Sequence, residues 1–334
     1  MMKIGVIGAG NWGTALAIHL VRAGCKVMLW AREVEIVEGA RNRRRNPLFL
    51  PEFELPAGVV VTADVVEAAA EAEAVVFVVP VQFARAVLRE LRPHIPSGAP
   101  LVSASKGIEL ASLARMDEVV TAELGLAPDR FVALSGPSFA REVAEGYPTA
   151  AVLAGRDGAA VSRLQRAFSN EMFRFYTASD VVGVELAGAL KNVVAIAAGM
   201  AEGLRLGQNA TAALLTRGLH EIARLGVRLG GREETFRGLA GMGDLVLTCS
   251  AGSLSRNRSV GERLGRGERL SDILAGREVA EGVPTTRAAA ELARRHGVEM
   301  PITFTVEAIL IGRLAPREAV TALMTRSLKE ESAL

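Results

Sequence analysis

The chain has 334 residues, of which 50% are hydrophobic, and its formal net charge is +2 at pH 7. This length predicts two domains with sizeable cores, and the nearly neutral charge argues against a nucleic-acid or anionic-membrane partner. The two cysteines, Cys25 and Cys249, lie far apart in apolar surroundings. We interpret them as buried free thiols in a reducing compartment, which excludes a disulfide-stabilised protein.

The N-terminal segment has the pattern of a strand, a glycine-rich turn and a helix. A buried strand is predicted over residues 4–7, and a helix of small and apolar residues over 14–21. Between them Gly8, Gly10 and Gly13 form a GxGxxG spacing that permits a tight turn, close approach of a pyrophosphate and close helix–strand packing, respectively. The helix N-terminus favours a phosphate. The alternative is a structural turn without a ligand.

The second predicted strand, residues 25–30, ends beside the positions that decide between two cofactors. An acidic residue there binds the ribose 2′-hydroxyl of NAD, whereas an arginine accommodates the 2′-phosphate of NADP. The chain has Arg32 followed by Glu33. Arg32 therefore favours NADP slightly, and Glu33 leaves NAD open. The alternative for Arg32 is a solvated surface charge.

Strands and helices continue to alternate through the first half of the chain. Further strands are predicted over residues 59–62, 74–80, 100–105, 131–135 and 150–154, with helices over 64–72 and 82–91. This alternation is typical of a doubly wound α/β domain, in which ligands bind beyond the carboxyl ends of the strands. A Rossmann-like NAD(P)-binding domain is therefore predicted over residues 1–180, with the last of these strands closing the sheet.

From about residue 181 the pattern changes to helices. They are predicted over residues 180–203, 210–229, 259–266, 270–275, 285–297, 303–311 and 316–329. No convincing strand remains, so an all-α C-terminal domain is predicted over 181–334 as the substrate and catalytic domain. Its apolar faces are consistent with a homodimer, although such a face is more often simply core.

The most apolar long stretch, residues 181–200, contains Glu185 and Lys191. A transmembrane helix rarely accepts both charges, so no membrane span is predicted. The first residues lead directly into a strand instead of a signal peptide. We therefore expect a cytoplasmic protein.

Lysines at two positions are candidates for catalysis. Burial disfavours the charge of a lysine in an apolar helix, so Lys191 is suited to general acid/base work in a nucleotide-binding enzyme. The alternative is a snorkelling lysine or one paired with an acid such as Glu185. Lys106 follows a predicted strand end, where it can orient a phosphate or a carbonyl oxygen, or can be a plain surface charge.

Polar residues of the helical half complete the candidate site. Asp244, among glycines, can accept hydrogen bonds from a substrate hydroxyl or from Lys191, or can cap a helix. Ser255, Arg256 and Asn257 form a plausible anion clamp, because a guanidinium matches two phosphate oxygens. The alternative is a polar helix start. The four histidines lack metal-ligand spacing, so no metal site is predicted.

Seven motifs then agree in their order along the chain. They are GAGNWGTALA at 8–17, NPLFLP at 46–51, SKG at 105–107, SGPSFA at 135–140, LKN at 190–192, GLAGMGD at 238–244 and SRNR at 255–258. Together they resemble the glycerol-3-phosphate dehydrogenases of the bacterial NAD(P)-dependent type. The resemblance spans nearly the whole chain and is far more specific than the glycine spacing alone.

The resemblance implies an oxidoreductase that interconverts sn-glycerol 3-phosphate and dihydroxyacetone phosphate with NADP or NAD and supplies phospholipid synthesis. By motif position Lys191 is the general acid/base. The implied substrate contacts are Lys106, Gly136, Ser138, Lys191, Asp244, Ser255, Arg256 and Asn257. Besides the three glycines, the implied cofactor contacts are Asn11, Trp12, Arg32, Lys106, Ala140, Arg256, Val279 and Glu281.

One departure from the family pattern concerns the cofactor, because members often have a second basic residue where this chain has Glu33.

Two other functions stay open. The chain could be a dehydrogenase of the same two-domain plan that acts on a β-hydroxyacid or keto acid. Alternatively, it could be a sensor or scaffold that binds the dinucleotide without turnover. The charged groups of Lys106, Lys191 and Asp244 argue against the sensor, which does not need them.

Overall fold

A computed structural model describes residues 1–250, 254–275, 280–328 and 330–331. The chain divides into two compact units. The first comprises Met1–Lys106 and Arg115–Val184, and the second comprises Gly107–Ala114 and Glu185–Leu334. The short segment after Lys106 thus groups with the second unit. The predicted fold class, an α/β domain followed by a helical one, is confirmed.

The first unit is built on one eight-stranded sheet. Its strands are β1 (Lys3–Ile7), β2 (Lys26–Trp30), β3 (Val59–Thr62), β4 (Ala74–Phe77), β5 (Leu101–Ser103), β6 (Phe131–Ser135), β7 (Thr149–Gly155) and β8 (Phe173–Ala178). The strand order is β3-β2-β1-β4-β5-β6-β7-β8, and only the β6–β7 pair is antiparallel. The order reverses between β1 and β4, which is where doubly wound sheets bind ligands.

Helices connect these strands and continue through the second half of the described chain. In the first half they are α1 (Asn11–Arg22), α2 (Val34–Arg43), α3 (Val65–Ala70), α4 (Ala84–Leu91), α5 (Met116–Leu124), α6 (Ala140–Glu145) and α7 (Gly158–Phe168). From residue 181 they are α8 (Val181–Gly203), α9 (Gly207–Arg228), α10 (Glu233–Arg237), α11 (Asp244–Ser250), α12 (Arg256–Gly265), α13 (Leu270–Ile273), α14 (Gly282–His296), α15 (Pro301–Leu310) and α16 (Pro316–Met324).

Each unit has its own apolar core. In the first, apolar side chains of β1, β2 and β4 pack with α1, and Phe168 of α7 extends the cluster with Phe173 and Phe175 of β8. In the second, Val193, Ile196 and Met200 of α8 pack with residues of α12, α14 and α15. Strands with both faces buried, such as β4, consist of continuous apolar residues, as expected in a parallel sheet.

The sequence prediction was wrong at the edge of the sheet. It ended the strand-rich half at residue 154, whereas β8 continues the sheet beyond β7. In β8 the buried Phe173 and Phe175 alternate with the exposed Arg174 and Tyr176. This alternation is the pattern of a half-buried edge strand, and it lacks the continuous apolar run on which the other strands were identified.

One helix in the described part of the chain, α8, is long and apolar enough to cross a membrane. Within its most apolar window of 18 residues, 89% of the positions are buried inside the structure. A buried core helix meets the same criteria of length and composition, so this helix alone is weak evidence for a membrane span.

Candidate active site

The glycine-rich turn joins β1 to α1, and each of its glycines has a different surrounding. Gly8 has a φ of +116°, a conformation that other residues rarely adopt. A Cβ on Gly13 would overlap the carbonyl oxygen of Gly8, so this glycine allows α1 to pack against the turn. A Cβ on Gly10 would meet nothing within 4 Å. The fold itself therefore explains Gly8 and Gly13, whereas Gly10 faces open space.

The first turn of α1 presents its backbone N–H groups beside the glycine-rich turn. Gly10 precedes the helix and contributes no side-chain cap, and Asn11 is exposed. The indole N–H of Trp12 is buried and has no hydrogen-bond partner among the residues that the structure describes. An unpartnered buried donor beside free helical N–H groups fits an anionic ligand.

The end of β2 lies against the glycine-rich turn, because the Gly8 N–H donates to the Trp30 carbonyl at 3.2 Å. Two residues later, Arg32 Nη2 lies 2.9 Å from Glu33 Oε1. The Arg32 side chain is 77% exposed. Arg32 and its acidic neighbour thus form an ion pair just beyond the end of β2, where the sequence predicts the choice between NADP and NAD.

Four predicted site residues follow β5 and β6, which are parallel neighbours in the sheet. Lys106 is half-buried three residues beyond the end of β5. Gly136 directly follows β6, and a Cβ on it would lie 2.8 Å from the Cα of Ala151. The Ser138 hydroxyl donates to the Gly136 carbonyl at 2.9 Å, and Ala140 begins α6. These residues share the carboxyl edge of the sheet.

In the second unit, Lys191 of α8 is held by α11. The side chain is buried, with the residue 6% exposed. Its ammonium group donates to the carboxylate of Asp244, and to Thr248 Oγ1 at 2.7 Å. The Thr248 hydroxyl in turn donates to the Asp244 carbonyl at 2.6 Å. Asp244 is the partner of Lys191, one of the roles that the sequence suggested for this acid.

Sequence reasoning missed Thr248. It lies four residues after Asp244, so both side chains face the same way on α11. Sequence reasoning left open a helix after Asp244 but did not examine which side chains such a helix would place beside this acid. The neighbouring thiol is inert, because burial raises the pKa of Cys249 to about 12 although the positive charge of Lys191 opposes this shift.

The Ser255–Asn257 segment begins α12 and connects it to α14. The Ser255 hydroxyl caps α12 by accepting from the Arg258 N–H at 3.3 Å, which is the structural role left open for this residue. Asn257 Oδ1 accepts from the Gly282 N–H at 2.9 Å, beside the predicted cofactor contact Glu281. Arg256 is exposed at the first position of α12. Val279 lies outside the described residues.

The helices α8 and α12 cross, which brings the Ser255–Asn257 segment at the start of α12 close to α8. A Cβ on Gly199 would overlap the Arg258 carbonyl oxygen, and one on Gly261 would overlap the Ile196 carbonyl oxygen. Gly203 and Gly265 make the same kind of contact one turn further along. Backbone against backbone, these glycines fix where the start of α12 lies relative to the helix that carries Lys191.

No group of three or more His, Cys, Asp or Glu side chains in the described ranges is arranged to hold a metal ion.

His19 is a buried ionisable residue with a structural role. Burial lowers the pKa of His19 to about 4, and its Nε2 lies 2.7 Å from the Phe168 carbonyl oxygen.

Two family models cover most of the chain. The model described as NAD-dependent glycerol-3-phosphate dehydrogenase N-terminus matches residues 3–161, and the one described as its C-terminus matches residues 180–321. The chain belongs to this dehydrogenase family. The resemblance stated from the seven motifs is therefore confirmed, and with it the class of NAD(P)-dependent oxidoreductase.

Individual relatives agree with the family models. A glycerol-3-phosphate dehydrogenase [NAD(P)+] from Geobacter sulfurreducens is 54% identical over 331 residues, covering 98% of each chain. The crystal structure of a glycerol-3-phosphate dehydrogenase from Coxiella burnetii is 40% identical, with a TM-score of 0.92 over 97% of this chain and 99% of that one.

A ketopantoate reductase from Ralstonia eutropha is similar in fold, with a TM-score of 0.60 over 96% of this chain and 100% of that one. Its sequence is 16% identical, so the similarity concerns the fold alone. The alternative of a keto-acid dehydrogenase built on the same two-domain plan thus shares the architecture with this family but not its sequence.

Proposed function

We propose that this chain interconverts sn-glycerol 3-phosphate and dihydroxyacetone phosphate by hydride transfer with NADP or NAD, NADP being slightly favoured. Membership of the dehydrogenase family supports this reaction and substrate. The structural observation that carries it is Lys191, a buried cation held by the Asp244 carboxylate and, at 2.7 Å, by the Thr248 hydroxyl. A lysine fixed in this way is suited to move a proton at one defined place.

The turn of the first unit fits a dinucleotide, because Gly10 faces open space and the Trp12 indole N–H lacks a protein partner among the described residues. When bound, the reduced nicotinamide supplies the hydride to the ketone carbon. The residues proposed to hold this cofactor are Gly8, Gly10, Asn11, Trp12, Gly13, Arg32, Lys106, Ala140, Arg256, Val279 and Glu281.

Lys191 is proposed to give a proton to the oxygen of the substrate as the carbonyl becomes an alcohol, and to take it back in the reverse direction. Asp244 and Thr248 hold its ammonium group, which restricts the directions in which the proton can be delivered. Lys106 is proposed to contribute positive charge, which stabilises negative charge that develops on the substrate.

The remaining proposed substrate contacts serve for orientation. Arg256 presents a guanidinium suited to two phosphate oxygens, and Ser255 and Asn257 flank it at the start of α12. Gly136 and Ser138, which follow the end of β6, are proposed to contact the substrate as well. The side chains of Ser255 and Asn257 are neutral and already make structural hydrogen bonds. We therefore assign the attraction of the phosphate to the guanidinium of Arg256.

The reaction is tested by the absorbance of reduced nicotinamide after addition of dihydroxyacetone phosphate, with NADPH and NADH in parallel. We expect rapid oxidation by the wild-type chain. In Lys191→Ala we expect kcat to fall by a factor on the order of a hundred or more, because the proton donor is lost. Binding of the cofactor, measured by its fluorescence without substrate, should persist in this variant.

Lys26→Ala is the matched control, since Lys26 is exposed on β2. A near-normal kcat in Lys191→Ala would remove Lys191 from the mechanism. Turnover of a phosphate-free keto acid at an efficiency comparable to that of dihydroxyacetone phosphate would instead favour the other dehydrogenases of this fold.

We also propose that the enzyme works in the cytoplasm and that its product supplies phospholipid synthesis. Both proposals rest on the family resemblance. The homodimer suggested by the apolar helical half likewise stays a prediction.

A further inference from the structure

The motif NPLFLP at residues 46–51 has no part in the proposed chemistry, yet its first residue is completely buried. Asn46 is 0% exposed and uses both ends of its side-chain amide. Its Oδ1 accepts from the N–H groups of Leu48 at 3.1 Å and Phe49 at 3.0 Å. This end shapes the local turn of the motif, as Asn often does.

The other end of the amide reaches the glycine-rich turn, more than thirty residues earlier in the chain. Asn46 Nδ2 donates to the Ala9 carbonyl oxygen at 2.8 Å and to Thr14 Oγ1 at 2.9 Å. The Thr14 hydroxyl donates to the same Ala9 carbonyl at 3.1 Å. Two donors, both buried, thus hold one carbonyl of the turn towards the interior.

Fixing this carbonyl also fixes the donor on the other side of the same peptide. A trans peptide is planar, so the Gly10 N–H points opposite to the Ala9 carbonyl. With the carbonyl held inward, this N–H is directed outward, to the side on which a Cβ of Gly10 would find open space. A donor fixed in direction before binding loses little freedom when an anion arrives.

We propose that Asn46 is a positioning residue of the dinucleotide site, which aims the Gly10 N–H at the phosphates of the cofactor. The proposal rests on the proposed function in so far as the turn holds the dinucleotide. Asn46 itself does not contact the cofactor, because its amide is fully used inside the protein.

Asn46→Asp separates this role from the local one. The carboxylate keeps an acceptor for Leu48 and Phe49 but loses both donors, and it places negative charge beside the Ala9 carbonyl. We expect the Kd for NADPH, measured by fluorescence without substrate, to rise about tenfold. The KM for dihydroxyacetone phosphate and kcat at saturating cofactor should stay within about twofold, since their groups lie elsewhere.

Asn42→Asp is the matched control, because it makes the same chemical change at an exposed position of α2. We expect its Kd for NADPH to equal that of the wild type. The proposal is overturned if Asn46→Asp weakens NADPH binding no more than this control does. It is also overturned if the Kd for NADPH and the KM for the substrate rise by the same factor, as general destabilisation would produce.

Should Asn46→Asp fail to fold, Thr14 provides a second test. Thr14→Val removes the hydroxyl that donates to Ala9, and Thr14→Ser retains it. We expect weaker NADPH binding in the valine variant and recovery in the serine variant, and equal Kd values in the two would overturn the proposal. A wild-type chain that binds neither NADPH nor NADH would contradict the proposed function itself.

Discussion

At the scale of single residues, the proposed selection between NADP and NAD involves two neighbours, Arg32 and Glu33. Glu33 lies 2.9 Å from Arg32 and compensates the charge that would attract the 2′-phosphate of NADP. Arg32 is exposed and Glu33 is half-buried, so the ion pair contributes little to folding, but we expect its charges to act on a cofactor beside the end of β2. We therefore propose that Glu33 keeps this chain from a strict preference for NADP.

Glu33→Gln should raise the ratio of kcat/KM with NADPH to that with NADH by about fivefold, because Arg32 is freed and a negative charge is removed. Steady-state rates with both cofactors measure this ratio. Glu35→Gln, an exposed change in the first turn of α2, the helix that Glu33 precedes, serves as the control. An unchanged ratio in Glu33→Gln would mean that Arg32 does not face the 2′-position.

Glu221 is a buried acid that holds a helix end. Its carboxylate accepts from the N–H groups of Ile302 at 2.6 Å and Thr303 at 3.1 Å, at the start of α15. Burial raises the pKa of Glu221 to about 7, although these hydrogen bonds lower it. In the unfolded chain the Glu221 carboxyl releases its proton near pH 4.5, whereas in the folded state it keeps this proton up to about pH 7. The free energy of unfolding therefore falls as the pH rises from about 4.5 to 7.

Glu221→Gln should remove this pH dependence. The difference in the free energy of unfolding, variant minus wild type, is expected to increase between pH 5 and 8 by up to about 3 kcal/mol. Urea titrations of both proteins at several pH values measure it. A difference that stays constant, or that decreases with pH, would mean that the N–H groups of α15 keep the carboxylate ionised throughout.

At the scale of elements, glycines set the distance between α8 and α12. Gly199→Ala should lower the free energy of unfolding by about 1–3 kcal/mol, since its Cβ would overlap the Arg258 carbonyl oxygen. Displacement of α12 should also raise the KM for dihydroxyacetone phosphate, because this helix begins with the proposed phosphate clamp. Denaturant titration and steady-state kinetics test the two effects.

Gly158→Ala is the control for this substitution, because a Cβ at the first position of α7 meets nothing within 4 Å. Equal unfolding free energies for Gly199→Ala and Gly158→Ala would contradict the close packing of α8 and α12.

The elements also show how far the sequence determines the fold. Strands such as β1, β4 and β6 could be located because burial on both faces requires an unbroken apolar run. The edge strand β8 escaped detection because only every second side chain is buried. In the site, the contact of Lys191 with Asp244 was foreseeable from a buried charge that needs a partner. The contact of Asn46 with Ala9 was not, because no local pattern encodes hydrogen bonds between distant segments.

At the scale of the whole molecule, the residues of the proposed site are distributed over two units that each have a core. The first carries the turn proposed for the dinucleotide, and the second carries Lys191, Asp244 and Thr248. The motifs identified the family because they are distributed over both units, whereas the glycine turn alone would have indicated only a nucleotide-binding fold.

The two cysteines happen to be distributed in the same way. Cys25 is buried in the first unit and Cys249 in the second, and burial raises the pKa of each thiol. A thiol reagent can therefore react with either one only after local opening has exposed it. Each single-cysteine variant thus carries a built-in probe for the opening of one unit. Because Cys249 neighbours Thr248, which holds Lys191, we expect its labelling rate to fall when a substrate binds at Lys191.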